Sequence, residues 1–174
     1  MSQAVVAKPQ TNEYAAYYEK YVSLVPDGDI VELLEQQLEK TLALLGGLSE
    51  EKGNYRYAPD KWSVKELVGH ISDTERIFAY RLLRFARNDK NALAGFEQDG
   101  YIENANFDSC RLSDLVREFE YIRKSSIALL HHLPEDAWMR SGNASDNEVT
   151  VRALAYILAG HELHHLNVLS ERYL

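Results

Sequence analysis

Apolar residues recur at spacings of three and four along most of this chain, and only a helix brings such positions onto one face. Val31, Leu34, Leu38, Leu42 and Leu45 form one such stripe, stopped at Gly46-Gly47, with Asp27 or Asp29 available as its cap. Leu67, Val68, Ile71, Phe78 and Leu82 form a second, on a helix predicted from Val64 to about Asn88. Ser63 and Glu66 mark its start with the spacing of a capping box. A third helix is predicted over 112–132, carrying Leu115, Phe119, Ile122, Ile127 and Leu130, with Pro134 just beyond. The last opens after the polar stretch Ser141 to Glu148, behind Thr150, and runs to about Arg172. Tyr14, Tyr17, Tyr18, Tyr21, Leu24 and Val25 make a shorter leading stripe over 12–25, closed by Pro26-Asp27-Gly28. With only 4 Pro and 9 Gly, little interrupts these helices. The expected fold is all-α: an up-and-down four-helix bundle with an additional short N-terminal helix. Residues 1–10 read as a loose tail and 11–174 as one domain. The aperiodic connection 89–111 is long enough to pack over an opening, where Phe96, Tyr101 and Phe107 would form a wall.

Charge and cysteine content narrow the function. Asp and Glu outnumber Lys and Arg 27 to 19, a formal net charge of -8, which opposes binding to phosphate backbones. Arg76, Arg81, Arg84 and Arg87 are interrupted by apolar residues and form no basic patch. The single Cys110 excludes an internal disulfide and a multi-cysteine zinc site, and reads as a packing or loop residue rather than a nucleophile. No apolar run approaches the roughly 18 residues of a membrane span. Met1 to Gln10 has no apolar core of a signal peptide. The expectation is a cytoplasmic protein with neither nucleic-acid nor membrane partners.

The histidines of the last helix break its pattern. With Leu158 set to zero and about 100° per residue, Val151, Leu154, Val168 and Leu169 occupy an apolar arc from roughly −80° to +20°. His161 falls near about −60° and His165 near about −20°, inside that arc, whereas His164 at about −120° lies outside it. Two inward imidazoles one turn apart are costly without partners, and a divalent metal satisfies both. His161-Glu162-Leu163-His164-His165 also reads H-E-x-x-H, the zinc-protease pattern in which Glu162 would be the base. Such enzymes usually take a further ligand from downstream. Only nine residues follow His165 here, and Glu171, the one acidic residue among them, lies on another face. A third ligand must therefore come from upstream, and His70, at the edge of the second stripe, is the best placed.

The remaining candidates have simpler readings. His131 and His132 sit at a helix end, where a cation complements the dipole. Glu66 and Asp73 flank His70 and could orient its ring, or serve only as cap and surface charge. Glu162, near about +40°, borders the inner face as a candidate catalytic base. Trp62 and Trp138 read as packing at helix ends.

Tyr57-Ala58-Pro59-Asp60-Lys61-Trp62-Ser63, then Gly69-His70-Ile71-Ser72-Asp73-Thr74-Glu75-Arg76, and finally Gly160-His161-Glu162-Leu163-His164-His165 together resemble the DinB-like (DinB/YfiT-like) superfamily of four-helix-bundle metalloenzymes. The resemblance covers about Tyr17 to Leu174. It implies a divalent metal ion, commonly zinc or nickel, on His70, His161 and His165. It also implies chemistry on a small-molecule substrate, with the metal activating water or a low-molecular-weight thiol, as in hydrolases or thiol-dependent transferases. Members are often homodimers, and the tyrosine-rich N-terminal helix could supply that surface. The competing expectation is a non-catalytic bundle in which the ion only holds a homodimer together. Three protein ligands favour catalysis, because structural zinc normally has four.

Overall fold

The computed structural model describes Val5–Leu174. Its helices are α1 (Glu19–Val22), α2 (Ile30–Gly46), α3 (Glu50–Gly53), α4 (Val64–Ala86), α5 (Gln98–Ala105), α6 (Leu112–His131) and α7 (Val151–Val168). Leu169–Tyr173 extends α7 as a π-helical turn. Local chemistry sets the starts of the long helices. Asp29 accepts the N–H of Val31 at 2.9 Å to cap α2. Ser63 and Glu66 complete the predicted box on α4, with bonds of 3.1 and 2.7 Å. Thr150 accepts the Ala153 N–H at 3.1 Å to start α7. No helix among the described residues is long and apolar enough to cross a membrane.

The chain folds as an all-α four-helix bundle with short leading helices. Around the bundle, α4 packs between α6 and α7, and α2 packs against the same two helices on the far side. The direction of each helix follows from who meets whom. His70, early in α4, faces His161 and His165, late in α7, so these helices are antiparallel. Glu35 of α2 meets His131 at the end of α6, so that pair is antiparallel too. On α4 and α6, Ser63 donates to Asp108 just ahead of α6 and Glu75 pairs with Arg123 farther along, so these two run the same way. Simple alternation therefore does not extend to the step from α4 to α6. The segment 89–111 is long because it carries the chain back along the bundle, and it forms α5 and a 3-10 turn on the way.

Three further segments add detail to the expected elements. The polar stretch before α7 is a two-stranded antiparallel hairpin, β1 (Ser141–Ala144) and β2 (Asn147–Thr150). Ser145 and Asp146 make its two-residue turn, with φ of 52° and 62° matching the positive values such turns require. The leading tyrosine stripe is not one helix but two 3-10 turns and the single turn α1, with Tyr14 extended between them. Glu13 is pinned to α7 by Arg152 and Thr150, which forces the segment to bend over the bundle. Of the expected tail, Met1 to Ala4 lie outside the described residues. Val5 to Gln10 are not loose: the Tyr156 hydroxyl donates to the Val6 carbonyl at 3.0 Å and Lys8 donates to the Val25 carbonyl at 2.7 Å.

Two glycines permit close approaches next to the histidines. A Cβ on Gly160 would stand 2.1 Å from the Tyr21 carbonyl oxygen, so only glycine lets the backbone of α1 lie on α7 there. A Cβ on Gly69 would stand 2.5 Å from the ring of Phe107, which the 89–111 connection lays over α4 one residue before His70.

Candidate metal centre

His70 projects from the second turn of α4, and His161 and His165 project from successive turns of α7. Because the helices are antiparallel, the three rings meet between them. The Nε2 atoms of His70 and His165 each lie 3.1 Å from Nε2 of His161, and the three donor atoms all fall within 4.8 Å of one another. His70 and His161 are buried and His165 is half-buried. The rings are held by aromatic neighbours, with Trp62 4.8 Å from His70 and Tyr21 5.3 Å from His161, centroid to centroid.

Electrostatics keep these rings neutral. Burial pushes the pKa of His70 down to about 4, and burial reinforced by the facing His70 and His164 pushes His165 to about 2. His161 is driven well below the ordinary range by burial and then by His165 and His70. Neutral imidazoles offer lone pairs. Nε2 of His161 carries either one proton or one lone pair, so it cannot fully serve two contacts at 3.1 Å. A cation among the three nitrogens satisfies all of them at once, and the donor set suits a divalent transition metal.

Glu162 does not join this group. Its helix neighbour His161 faces the site, but its own carboxylate turns into the bundle, only 1% exposed. One oxygen accepts from Thr41 at 2.6 Å, and the other is engaged by Gln37 and, at 2.6 Å, by Arg123. Arg123, fully buried, also forks onto Glu75 at 2.8 and 2.9 Å. Burial works against its charge, but Glu162 and Glu75 outweigh burial and raise its pKa. A carboxylate so occupied by donors is a structural anchor rather than an available base. Glu66 completes its cap and accepts from Arg56, and Asp73 pairs with Arg76 at 3.3 Å, so neither is engaged with His70. His131 meets Glu35 on the surface, and Cys110 is partly exposed beside the Asn106 carbonyl.

The histidines stand between two clefts. One, of about 260 Å³, is lined by Tyr18, His70, Thr74, Arg81, Phe96 and His161 among others. The other, of about 380 Å³, is lined by Tyr57, Trp62, Asp99, His164, His165 and Tyr173 among others. Phe96 thus forms the wall expected of the 89–111 connection, Tyr101 packs on it at 5.4 Å, and Phe107 instead packs over Gly69. Sequence reasoning missed Arg81, Glu75 and Arg123. Their signal was present: each is a charged residue at an inward position, such as Arg123 midway between Phe119 and Ile127.

Comparison with known proteins gives the fold and the family. A protein of Oceanobacillus iheyensis, provisionally named a metal-dependent hydrolase (OB0413), is 26% identical over 143 residues, covering 79% of this chain and 82% of its own. The structure of YfiT from Bacillus subtilis, described as a "probable metal-dependent hydrolase with an unusual four-helix bundle topology", superposes with a TM-score of 0.70. That match covers 94% of this chain and 90% of YfiT at 15% identity, and it speaks to the fold. The sequence profile of the DinB superfamily matches residues 33–169, so the chain belongs to the DinB superfamily.

Proposed function

We propose that this protein is a metal-dependent hydrolase of small molecules, with His70, His161 and His165 as the metal ligands. The observation that carries the reading is the convergence of three neutral, mostly buried Nε2 atoms at the junction of two open clefts. The names given to its relatives support the same class. His70, His161 and His165 would hold a divalent ion, and such an ion would supply Lewis acidity toward a water or a substrate thiol. The chain's own residues do the rest. Trp62, Tyr21 and Phe78 fix the imidazole rings and limit the water around them. Asp99 and His164, which line the second cleft, are the groups offered to move protons, since Glu162 is occupied in the bundle interior and both oxygens of Glu97 cap α5. Zinc and nickel both suit this ligand set.

Elemental analysis of wild type beside His165→Ala, with ester and amide hydrolysis assayed on both, tests the reading. The expected result is about one transition metal per chain, with metal and turnover lost together in the variant. Wild-type protein that takes up no metal when reloaded would overturn it. A metal that is bound without any turnover, and whose removal only lowers the melting temperature, would favour the non-catalytic bundle.

A further inference from the structure

The wall of the first cleft leads from the histidines to a buried cation. His70, Thr74, Phe78 and Arg81 follow one another on α4 at spacings of four, four and three, and so share one helix face. The guanidinium carbon of Arg81 lies 5.7 Å from the Phe78 ring centroid, and that ring lies 6.1 Å from His161. A single phenyl ring therefore separates the cation from the metal ligands. Arg81 is only 3% exposed, yet no carboxylate lies within 4 Å of it among the described residues. Nη2 donates to the Ala94 carbonyl at 2.9 Å and to the Ser145 hydroxyl at 3.0 Å. Nε and Nη1 donate to nothing among the described residues, and Arg81 is part of the cleft lining. The Thr74 hydroxyl on the same wall also lacks a partner.

The contrast with Arg123 is direct. That arginine is as deeply buried, and two carboxylates neutralise it. A buried charge left without its counter-ion is expensive, and the cleft is where a counter-ion can enter. We propose that this cleft binds substrates bearing a carboxylate, with Arg81 holding that carboxylate while the bond to be cleaved lies toward the three histidines. The placement of the reacting bond rests on the hydrolase reading, but the recognition of the anion does not. A singly charged carboxylate fits better than a phosphate, because Arg81 is one cation and Glu97 lines the same cleft. Arginine's planar fork matches the two oxygens of a carboxylate.

Calorimetric titration with benzoate, benzamide and phenyl phosphate tests this on the full chain, both metal-loaded and chelator-treated. Benzoate is expected to bind in both forms, at least about tenfold more tightly than benzamide, as the loss of a charge-assisted hydrogen bond implies. Arg81→Met should remove that preference while leaving the metal content per chain unchanged. His165→Ala, which lies outside this cleft, should retain benzoate binding. Equal affinity for benzoate and benzamide overturns the proposal, and preference for phenyl phosphate reassigns the cleft to phosphate esters and overturns the stated class. Benzoate binding that survives in Arg81→Met but vanishes with the metal would leave Arg81 as a tie to Ala94 and Ser145 only. If Arg81→Met does not fold, nuclear magnetic resonance of the wild type decides. The Arg81 Nε–H signal, assigned through its contacts with Phe78 and Phe96, should shift on benzoate addition, and an unmoved signal overturns the proposal. A protein without metal or turnover that still binds benzoate through Arg81 would fail the hydrolase reading alone.

Discussion

Two polar clusters share the interior of this bundle, and neighbouring residues of one helix belong to each. His161 enters the histidine group, while Glu162 enters the network of Arg123, Glu75, Gln37 and Thr41. The second cluster is balanced in charge and, apart from Nη1 of Arg123, in hydrogen bonds: one cation faces two carboxylates, and the remaining acceptor capacity of Glu162 is filled by Gln37 and Thr41. The first is incomplete, with three neutral nitrogens aimed at one another and the single donor-or-acceptor site of His161 Nε2 shared between two contacts. Completeness separates the two roles. A cluster that satisfies itself fixes how four helices pack, and one that does not is built for something arriving from outside.

The most forceful way to break the comparison is to remove Arg123. Arg123→Ala leaves two buried carboxylates without their cation and should cost about 3–5 kcal/mol, read as a lower denaturant midpoint. Metal stoichiometry should persist wherever the variant still folds. Acid should act on the histidine cluster instead. In metal-free protein the folded His70 has a pKa of about 4, against about 6.5 when unfolded, so below about pH 6.5 the unfolded chain takes up protons that the folded one refuses. Stability therefore falls as pH drops from about 6.5 to about 4, by about 3 kcal/mol for His70 alone, with His161 and His165 adding in the same direction. Urea titrations of chelated protein across that range would check both sign and size.

Ligand linkage gives a slightly smaller effect. Free metal at a hundred times its dissociation constant should stabilise wild type by about 2.7 kcal/mol and His161→Ala hardly at all, as melting curves with and without metal would report. Gly160→Ala, at the position beside both clusters, should cost about 1–3 kcal/mol by forcing Tyr21 off α7. The same variant should loosen His161 by moving the Tyr21 ring, which a weaker metal affinity would register. His131→Ala on the exposed surface should change stability by less than about 0.5 kcal/mol and serves as the reference.

The bundle and the histidine cluster were legible because both write a period into the sequence. The stripe of α2 and the box of Ser63 and Glu66 are local, and each predicted an element start that the structure keeps. His161 and His165 stood out for the same reason, as polar residues on an apolar arc. What pairs with what is set by distance along the chain and leaves no periodic trace. The shared direction of α4 and α6, the hairpin, and the bending of the tyrosine stripe over α7 all depend on tertiary contacts. Glu162 shows the limit most clearly. Its angle on the helix placed it at the border of the inner face, but only the partners contributed by α2 and α6 reveal which side of that border it serves.

The separation of His70 from His161 by 91 residues has a consequence for how this chain holds together. An ion shared by α4 and α7, as proposed, would act as a cross-link that spans more than half the protein and is reversible on removal of the metal. Closing a loop of that length is a large entropic cost in the unfolded chain, and a clip restricts that chain as a disulfide would. A protein with one cysteine can thus obtain a redox-insensitive staple from three histidines, and chelation becomes the equivalent of reduction.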